Sequence, residues 1–155
     1  MKGNAQVIEC LNDLLADELT AINQYMVHSE MCDDWGYGRL HEAVEKRAID
    51  EMKHAEKLIG RILFLEGRPT VSVLKEIHIG AEVEAQLRKD LASELDAVKS
   101  YNAGIQLIVG VGDNGTKILL ESILTEEEDH IDWLEAQLDQ IAQIGIQQYL
   151  VEQID

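Results

Sequence analysis

The chain is poor in proline, cysteine and aromatic residues, and each shortage excludes a class of protein. It has one proline, Pro69, and 5% aromatic residues among many Ala, Leu, Glu, Ile and Gln residues, so helices are favoured over sheets. Its two cysteines, Cys10 and Cys32, lie 22 residues apart on one predicted helix, or about 33 Å along its axis. They cannot pair within one chain, and two free thiols fit a reducing compartment.

Long apolar segments and positive charge are scarce as well. The longest uncharged stretch, SYNAGIQLIVGVG, falls well short of the roughly 20 residues that a membrane helix needs. Only 13 Lys and Arg residues oppose 30 Asp and Glu residues, and the formal net charge of −17 argues against nucleic acid or an anionic membrane as a partner. Cations are the natural ligands of such a surface. Because the start MKGNAQVIECLNDLL lacks the pattern of a signal peptide, we expect a cytoplasmic protein.

The length and apolar content predict a single domain, residues 1–155, of the all-α class. Hydrophobic residues make up 46% of the chain, enough for one core, and 155 residues are too few for two comfortable domains. Apolar periodicity predicts four long helices and a short tail helix, over residues 4–33, 38–65, 81–109, 115–143 and 145–153. The short, glycine-containing connections DDWGYG and GVGDNGT predict that the long helices form two antiparallel hairpins.

The segment RPTVSVLKEIHIGA between the two hairpins is too long for a tight turn. Its 14 residues span about 46 Å when extended, against about 40 Å for a helix of about 27 residues. We therefore expect it to cross the length of the bundle and make the second and third helices parallel. This topology is that of a ferritin-like antiparallel four-helix bundle with a long crossover, here followed by a short C-terminal fifth helix.

Each long helix carries one glutamate in the middle of its apolar stripe, at positions 18, 51, 94 and 127. Read in alternating steps of four and three, the stripes are Leu11, Leu15, Glu18, Ile22, Tyr25, Ser29; Val44, Ala48, Glu51, Ala55, Leu58, Ile62; Leu87, Leu91, Glu94, Val98, Tyr101, Ile105; and Leu120, Leu124, Glu127, Ile131, Leu134, Leu138. Two histidines, His54 and His130, follow a glutamate by three residues and share its helix face.

These polar positions repeat along the chain with one spacing. An offset of 76 residues relates Glu18 to Glu94, Glu51 to Glu127, His54 to His130, and Tyr25 to Tyr101. The second hairpin therefore looks like a duplicate of the first, with the polar core residues coinciding under a pseudo-twofold operation.

Four carboxylates at one level of an apolar core require positive charge nearby. A buried carboxylate is costly to leave charged and unpaired, and the four would repel one another. The stripes contain no lysine or arginine, whereas two divalent ions supply four positive charges and leave two neutral imidazoles to complete the coordination. One Glu from each of two helices and Glu-x-x-His from each of the others form the ligand set of di-iron and di-manganese bundles. Oxygen and imidazole ligands without thiolate favour iron or manganese over copper or structural zinc.

The expected roles follow from these positions. We expect Glu51 and Glu127 to be bridging carboxylates. The terminal ligands are then Glu18, His54, Glu94 and His130. Asp50 and Glu126, each four residues before a histidine, either orient the imidazole N–H groups or are plain exposed acids.

Three aromatic residues keep two interpretations each. Tyr25 and Tyr101 are either plain core aromatics or partners of the centre that hydrogen-bond a ligand or supply an electron. Trp133 is either a radical relay or, more simply, a residue of an interface or the surface.

The chain resembles bacterioferritin over essentially its whole length. The resemblance runs from MKG and ELTAINQY through DEMKHAEKLIGRILFLEG to EEEDHIDWLEAQLDQI. A histidine ligand in both hairpins is similar to bacterioferritin rather than animal ferritin, and the rubredoxin-like cysteine pairs of rubrerythrin do not occur.

The resemblance implies iron storage in a hollow cage of 24 subunits, each with a ferroxidase centre. Fe(II) pairs would be oxidised by dioxygen or peroxide, and ferric mineral would be kept in the cavity. The implied centre consists of Glu18, Glu51, His54, Glu94, Glu127 and His130. The resemblance also implies a ferredoxin-type reductant for iron release, and it leaves open a cage mixed with a paralogous subunit.

The resemblance further implies a haem b between two subunits, with Met52 of each as axial ligand, so that the cage consists of haem-bridged dimers. From the pattern alone, Met52 lies with Ile49 and Ile59 on a second apolar strip, which suggests an interface in which Met52 is a packing residue. The family often has an aromatic residue where this chain has Met26, which predicts an altered haem pocket.

A second departure concerns the cavity wall. Some members have a histidine near position 50, where this chain has Lys46 and Arg47, so an iron-transfer site on the inner surface is in doubt. Two other classes of protein stay open: a non-storing di-iron or di-manganese peroxidase or catalase on the same bundle, and a metal-free helical interaction module. The last would require its core glutamates to be protonated or exposed.

Overall fold

Five helices account for most of the computed structural model, which describes residues 1–155. They are α1 (Ala5–Asp34), α2 (Gly38–Phe64), α3 (Val83–Val111), α4 (Asn114–Ile144) and the short α5 (Ile146–Val151). Every helix lies within two residues of its predicted bounds, and the predicted all-α, ferritin-like bundle is confirmed. None of the helices combines the length and the apolar character needed to cross a membrane.

The two hairpins form because helix caps and breakers stand at the expected places. Asn4 caps α1 by accepting hydrogen bonds from the backbone N–H groups of Gln6 and Val7. Gly112 ends α3 in the left-handed region at φ 77°, and Asp113 then caps α4 through the N–H of Thr116. The resulting pairs, α1 with α2 and α3 with α4, pack side by side into the bundle.

The crossover between α2 and α3 runs along α1 and is attached to it by hydrogen bonds. Side chains of α1 accept four of its backbone N–H groups: Thr70 to Asn12 Oδ1 at 2.8 Å, Lys75 to Thr20 Oγ1 at 2.8 Å, His78 to Gln24 Oε1 at 3.1 Å and Gly80 to His28 Nε2 at 3.0 Å. The order of the acceptors shows that crossover and α1 run in the same direction. Since α1 and α2 are antiparallel, α3 starts beside the end of α1 and is parallel to α2, as predicted.

The core has two apolar ends and a polar middle. One apolar cluster includes Leu11, Leu58, Ile62 and Leu120, and the other includes Leu40 and Leu134 together with Tyr149 of α5. Between these ends lies a layer of buried glutamates and histidines, so the bundle buries polar groups that are costly to remove from water.

Candidate metal centre

The middle layer contains all six predicted site residues. Each long helix contributes its glutamate, α2 and α4 add their histidines, and none of the six side chains is more than marginally exposed: Glu18, Glu51, His54, Glu94, Glu127 and His130. Residues that are as much as 112 positions apart in the chain therefore meet at one point in the core.

The ligand atoms form two overlapping groups. His54 Nδ1 lies 2.9 Å from Glu127 Oε1 and 3.6 Å from both Glu18 Oε2 and Glu51 Oε2. On the other side, His130 Nδ1 lies 3.1 Å from Glu51 Oε1. One group comprises Glu18, Glu51, His54 and Glu127, the other Glu51, Glu94, Glu127 and His130, and within each group the ligand atoms lie within 4.8 Å of one another.

The centre concentrates the unsatisfied polar atoms of the molecule. Eight buried side-chain nitrogen or oxygen atoms lack a hydrogen-bond partner, and seven of them belong to the six site residues. They include Nδ1 of both histidines and both oxygens of Glu127. Each unsatisfied buried group costs about 1–3 kcal/mol, so the pattern requires a binding partner. Carboxylate oxygens and imidazole nitrogens aimed at a common point fit a pair of divalent cations.

Protons take the place of cations when the centre holds no ions. Burial and then the surrounding carboxylates raise the pKa values of Glu51 and Glu127 well above the usual glutamate range. Burial alone would lower the pKa of His54, but the carboxylates of Glu127 and Glu18 outweigh it and raise the pKa to about 11. The ion-free centre is therefore partly protonated at neutral pH.

A second shell of side chains holds the ligands in place. Glu126 contacts Nε2 of His54, and Asp50 Oδ2 lies 3.4 Å from Nε2 of His130, so both histidines turn Nδ1 toward the centre. The structure agrees with an orienting role for these acids. Each acid, however, reaches the histidine of the other hairpin rather than the one that follows it by four residues.

The two tyrosines are hydrogen-bond donors to the centre. The hydroxyl of Tyr25 donates to Glu94, and that of Tyr101 donates to Glu18 Oε1 at 2.5 Å. Burial and the adjacent carboxylates raise both tyrosine pKa values well above the usual range, so both groups remain neutral donors. Trp133, in contrast, is half-buried beneath the guanidinium of Arg47, 5.5 Å from its ring centroid.

One buried network near the centre was missed from the sequence. The His28 side chain is fully buried. Its Nε2 accepts the backbone N–H of Gly80, so the proton of the neutral ring is on Nδ1. Nδ1 therefore donates to Asp90 Oδ1 at 2.9 Å. Gln24 Nε2 donates to the same Asp90 oxygen at 2.8 Å. Gln24 and His28 lie four residues apart, and each immediately precedes a residue of the apolar stripe, Tyr25 and Ser29. This spacing is the signal that would have indicated a buried polar face. The network joins α1, the crossover and the α3 segment that carries Glu94.

A cavity of about 250 Å³ connects the centre with the crossover side of the bundle. The four core glutamates line its inner part, and Asp17, Lys75, Glu76, His78 and Asp96 are among the residues that line its outer part. Lys75 is the one lysine or arginine in the lining, and its ammonium contacts Asp17. A small cation can therefore approach between α1 and α3 along mostly acidic walls.

The remaining predicted positions lie on the α2 surface. Met52 is 44% exposed and borders a cavity of about 340 Å³ together with Ile22, Met26 and Ile49. Lys46 and Arg47 border a polar pocket on the α2 and α4 side, which also contains Asp50, Lys53, Lys57, Glu126, Asp129 and His130. Positive side chains therefore surround Asp50 on that side of the centre.

Four long helices around a buried layer of carboxylates and histidines define a ferritin-like di-metal bundle. The ferritin-like domain family matches residues 8–144 of the chain. A bacterioferritin of Brucella melitensis is 45% identical over 149 residues, which cover 96% of this chain and 92% of that protein. A bacterioferritin of Rhodobacter capsulatus is 44% identical over 147 residues, or 95% of this chain and 91% of its own. Bacterioferritin BfrA of Mycobacterium tuberculosis is 40% identical over 149 residues, which cover 96% of this chain and 94% of that protein. The chain belongs to the bacterioferritin family.

Binding of divalent ions to the centre should release protons. Glu51, His54 and Glu127 bind metal only when deprotonated, and their raised pKa values mean that they keep their protons to a higher pH than usual, so the affinity for Mn²⁺ should rise with pH and fall as the solution is acidified. Calorimetric titration in two buffers with different ionisation enthalpies measures the number of protons released. The Glu51→Ala, Glu127→Ala double variant is the control, and equal heats in both buffers for the parent protein would contradict the expectation.

Proposed function

We propose that the protein stores iron and acts as a ferroxidase, with Fe(II) as substrate of the six-residue centre. The observation that supports it best is the set of seven unsatisfied buried ligand atoms, supplied by four carboxylates and two imidazoles and aimed at one another. Membership of the bacterioferritin family supports the same activity. We also propose that residues 1–155 form a single ferritin-like domain.

The overlap of the two ligand groups supports a division of the ligands. Glu51 and Glu127 belong to both groups and are assigned as bridging carboxylates. The terminal pairs are Glu18 with His54 on one side, and Glu94 with His130 on the other. The assignment gives each ion one imidazole and one carboxylate of its own, as expected for a pseudo-twofold site.

Charge balance explains how this chain favours oxidation of its substrate. Four carboxylates match the charge of two Fe(II) ions and, being anionic oxygen ligands, stabilise Fe(III) relative to Fe(II). The two electrons given up by an iron pair reduce dioxygen to hydrogen peroxide with two protons, or hydrogen peroxide to two water molecules with two protons. Tyr25 and Tyr101 keep the terminal carboxylates in place, and Asp50 and Glu126 keep the imidazoles in place.

Loss of one terminal carboxylate should abolish rapid iron oxidation. Two Fe(II) per chain are added anaerobically to the ion-free protein, air is admitted, and near-ultraviolet absorbance is followed for the parent and the Glu94→Ala variant. We expect the parent to oxidise iron rapidly and the variant to oxidise it at the background rate, because one ion has lost its terminal oxygen ligand. Glu128→Ala, an exposed glutamate of α4, should behave like the parent. Background rates in both parent and variant would overturn the proposal.

Assembly distinguishes the proposed storage protein from a non-storing enzyme on the same bundle. A cage of 24 chains of 17.4 kDa has a mass of about 418 kDa, whereas a peroxidase or catalase without a cage needs only a small oligomer. Size-exclusion chromatography with light scattering should therefore give several hundred kilodaltons, and a small oligomer would favour the alternative enzyme. Mass spectrometry of particles purified from the native source would detect a paralogous subunit in a mixed cage.

The α2 surface supports a haem b shared by two copies of the chain. Met52 offers an exposed thioether beside the apolar side chains of Ile22, Met26 and Ile49, and these residues form half of a pocket that a second copy would complete. The haem, when bound, would supply a one-electron carrier, which suits iron release by a ferredoxin-type reductant. A cytoplasmic location agrees with the two free cysteines.

Replacement of Met52 should remove the haem without disturbing the iron centre. The parent, reconstituted with haem b, should bind one haem per two chains and show a Soret band, whereas the Met52→Leu variant should show almost none because leucine has no ligand atom. Met31→Leu, outside the Met52 cavity, is the matched control. An undiminished Soret band in Met52→Leu would refute the assignment.

A further inference from the structure

A second cluster of metal-ligating side chains lies outside the iron centre, across the α1–α2 turn. Glu30 belongs to the last turns of α1, and His41 and Glu45 belong to the first turns of α2. One ligand atom from each of the three residues lies within 4.8 Å of the others. The imidazole of His41 is 20% exposed and both carboxylates are accessible to solvent. This cluster has no part in the proposed ferroxidase reaction.

The imidazole of His41 is held in one orientation by the backbone. Its Nδ1 lies 2.9 Å from the carbonyl oxygen of Ser29, which can only accept, so Nδ1 carries the proton and donates. In the neutral ring, Nε2 is then a free lone pair directed at the carboxylates. An N–H to backbone carbonyl bond of this kind is the usual support of a metal-binding histidine, because it sets the tautomer and increases the basicity of the ring.

The separation of the ligand atoms fits a metal better than a hydrogen bond. Nε2 of His41 lies 3.5 Å from Glu45 Oε2, longer than a good hydrogen bond between nitrogen and oxygen. Two ligands bound at about 2.1 Å to a tetrahedral ion lie about 3.4 Å apart. The observed distance is thus close to the edge of such a tetrahedron, and the exposed Glu30 side chain has room to supply a third corner.

The charges around the cluster favour a cation. No lysine or arginine lies within 4.0 Å of the carboxylates of Glu30, Asp33 or Glu45. The hydrogen bond to Ser29 raises the pKa of His41, and despite partial burial the three carboxylates raise it further. The same negative field that attracts a proton to Nε2 attracts a divalent ion.

We propose that His41 Nε2, Glu30 and Glu45 bind one divalent ion of the Zn²⁺ class, with water completing the coordination. The ion would join the end of α1 to the start of α2 across residues 35–37. Glu30 and Glu45 also border the cavity of Met52, so the site lies at the rim of that apolar surface. It differs from the iron centre in being exposed, mononuclear and confined to the first hairpin.

Co²⁺ is a suitable probe because it substitutes for Zn²⁺ and absorbs strongly in the visible only when tetrahedral. The ion-free, full-length parent and His41→Ala are titrated with Co²⁺ by equilibrium dialysis and by visible absorbance. The parent should bind one Co²⁺ ion per chain more than His41→Ala, and its visible absorbance at saturation should exceed that of the variant by the intense tetrahedral band of that one ion, over the absorbance that the iron centre gives in both proteins. Glu45→Gln, which leaves the contact between His41 and Ser29 intact, should weaken binding about tenfold or more.

Two controls separate this site from general cation binding and from the iron centre. His78→Ala removes another exposed histidine, whose Nε2 is 4.0 Å from Glu76, and should bind as many Co²⁺ ions as the parent. His41→Ala should oxidise Fe(II) at the parent rate. Equal Co²⁺ stoichiometry and spectra for the parent and His41→Ala would overturn the inference, as would loss of the same ion in His78→Ala.

Discussion

The burial of four carboxylates in the middle of one bundle is the constraint on which the rest of the structure depends. Unbalanced, these groups would repel one another in a medium that screens them poorly, and the folded state would lose several kilocalories per mole. Protons relieve part of this cost in the ion-free chain, as the raised pKa values of Glu51 and Glu127 indicate. Cations relieve it more completely, because they also occupy the lone pairs that protons leave unsatisfied. The cost of burying the carboxylates thus contributes to the affinity of the folded chain for metal, because binding of cations removes that cost.

Such a centre works only if the two hairpins are held at a fixed angle and height. The crossover accomplishes this, since its backbone is hydrogen-bonded along α1 by a row of side chains that ends at His28. His28 in turn holds Asp90, four residues before Glu94 on α3. A displacement of α3 along its axis would disturb both this buried network and the hydrogen bond from Tyr25 to Glu94. Gln24, His28 and Asp90 therefore help to hold α1, the crossover and α3 in register beside the centre.

The sequence predicts the helices and the six-residue centre well, because both depend on spacing along single helices. Glu51 and His54 share a face at any rotation of α2, and the offset of 76 residues transfers the argument to α4. It predicts contacts between helices poorly. The contact of Asp50 with His130 of the other hairpin depends on how α2 and α4 are rotated about their axes, and no local sequence pattern indicates that rotation. The His28 network escaped for the same reason, since its members are as much as 66 residues apart.

The two hairpins match at the metal centre but differ in their surface residues. At the iron centre the two hairpins match residue for residue, since each ion needs the same ligands. On the surface they diverge: the exposed apolar residues Met26, Ile49 and Met52 correspond, 76 residues later, to Asn102, Thr125 and Glu128, which are exposed and polar. If both hairpins carried the apolar surface, each chain would offer two equivalent contacts and could polymerise without closure. Because that surface is confined to the first hairpin, a contact of this kind can form only once per chain, and a contact between two such surfaces would close as a pair rather than continue as a polymer.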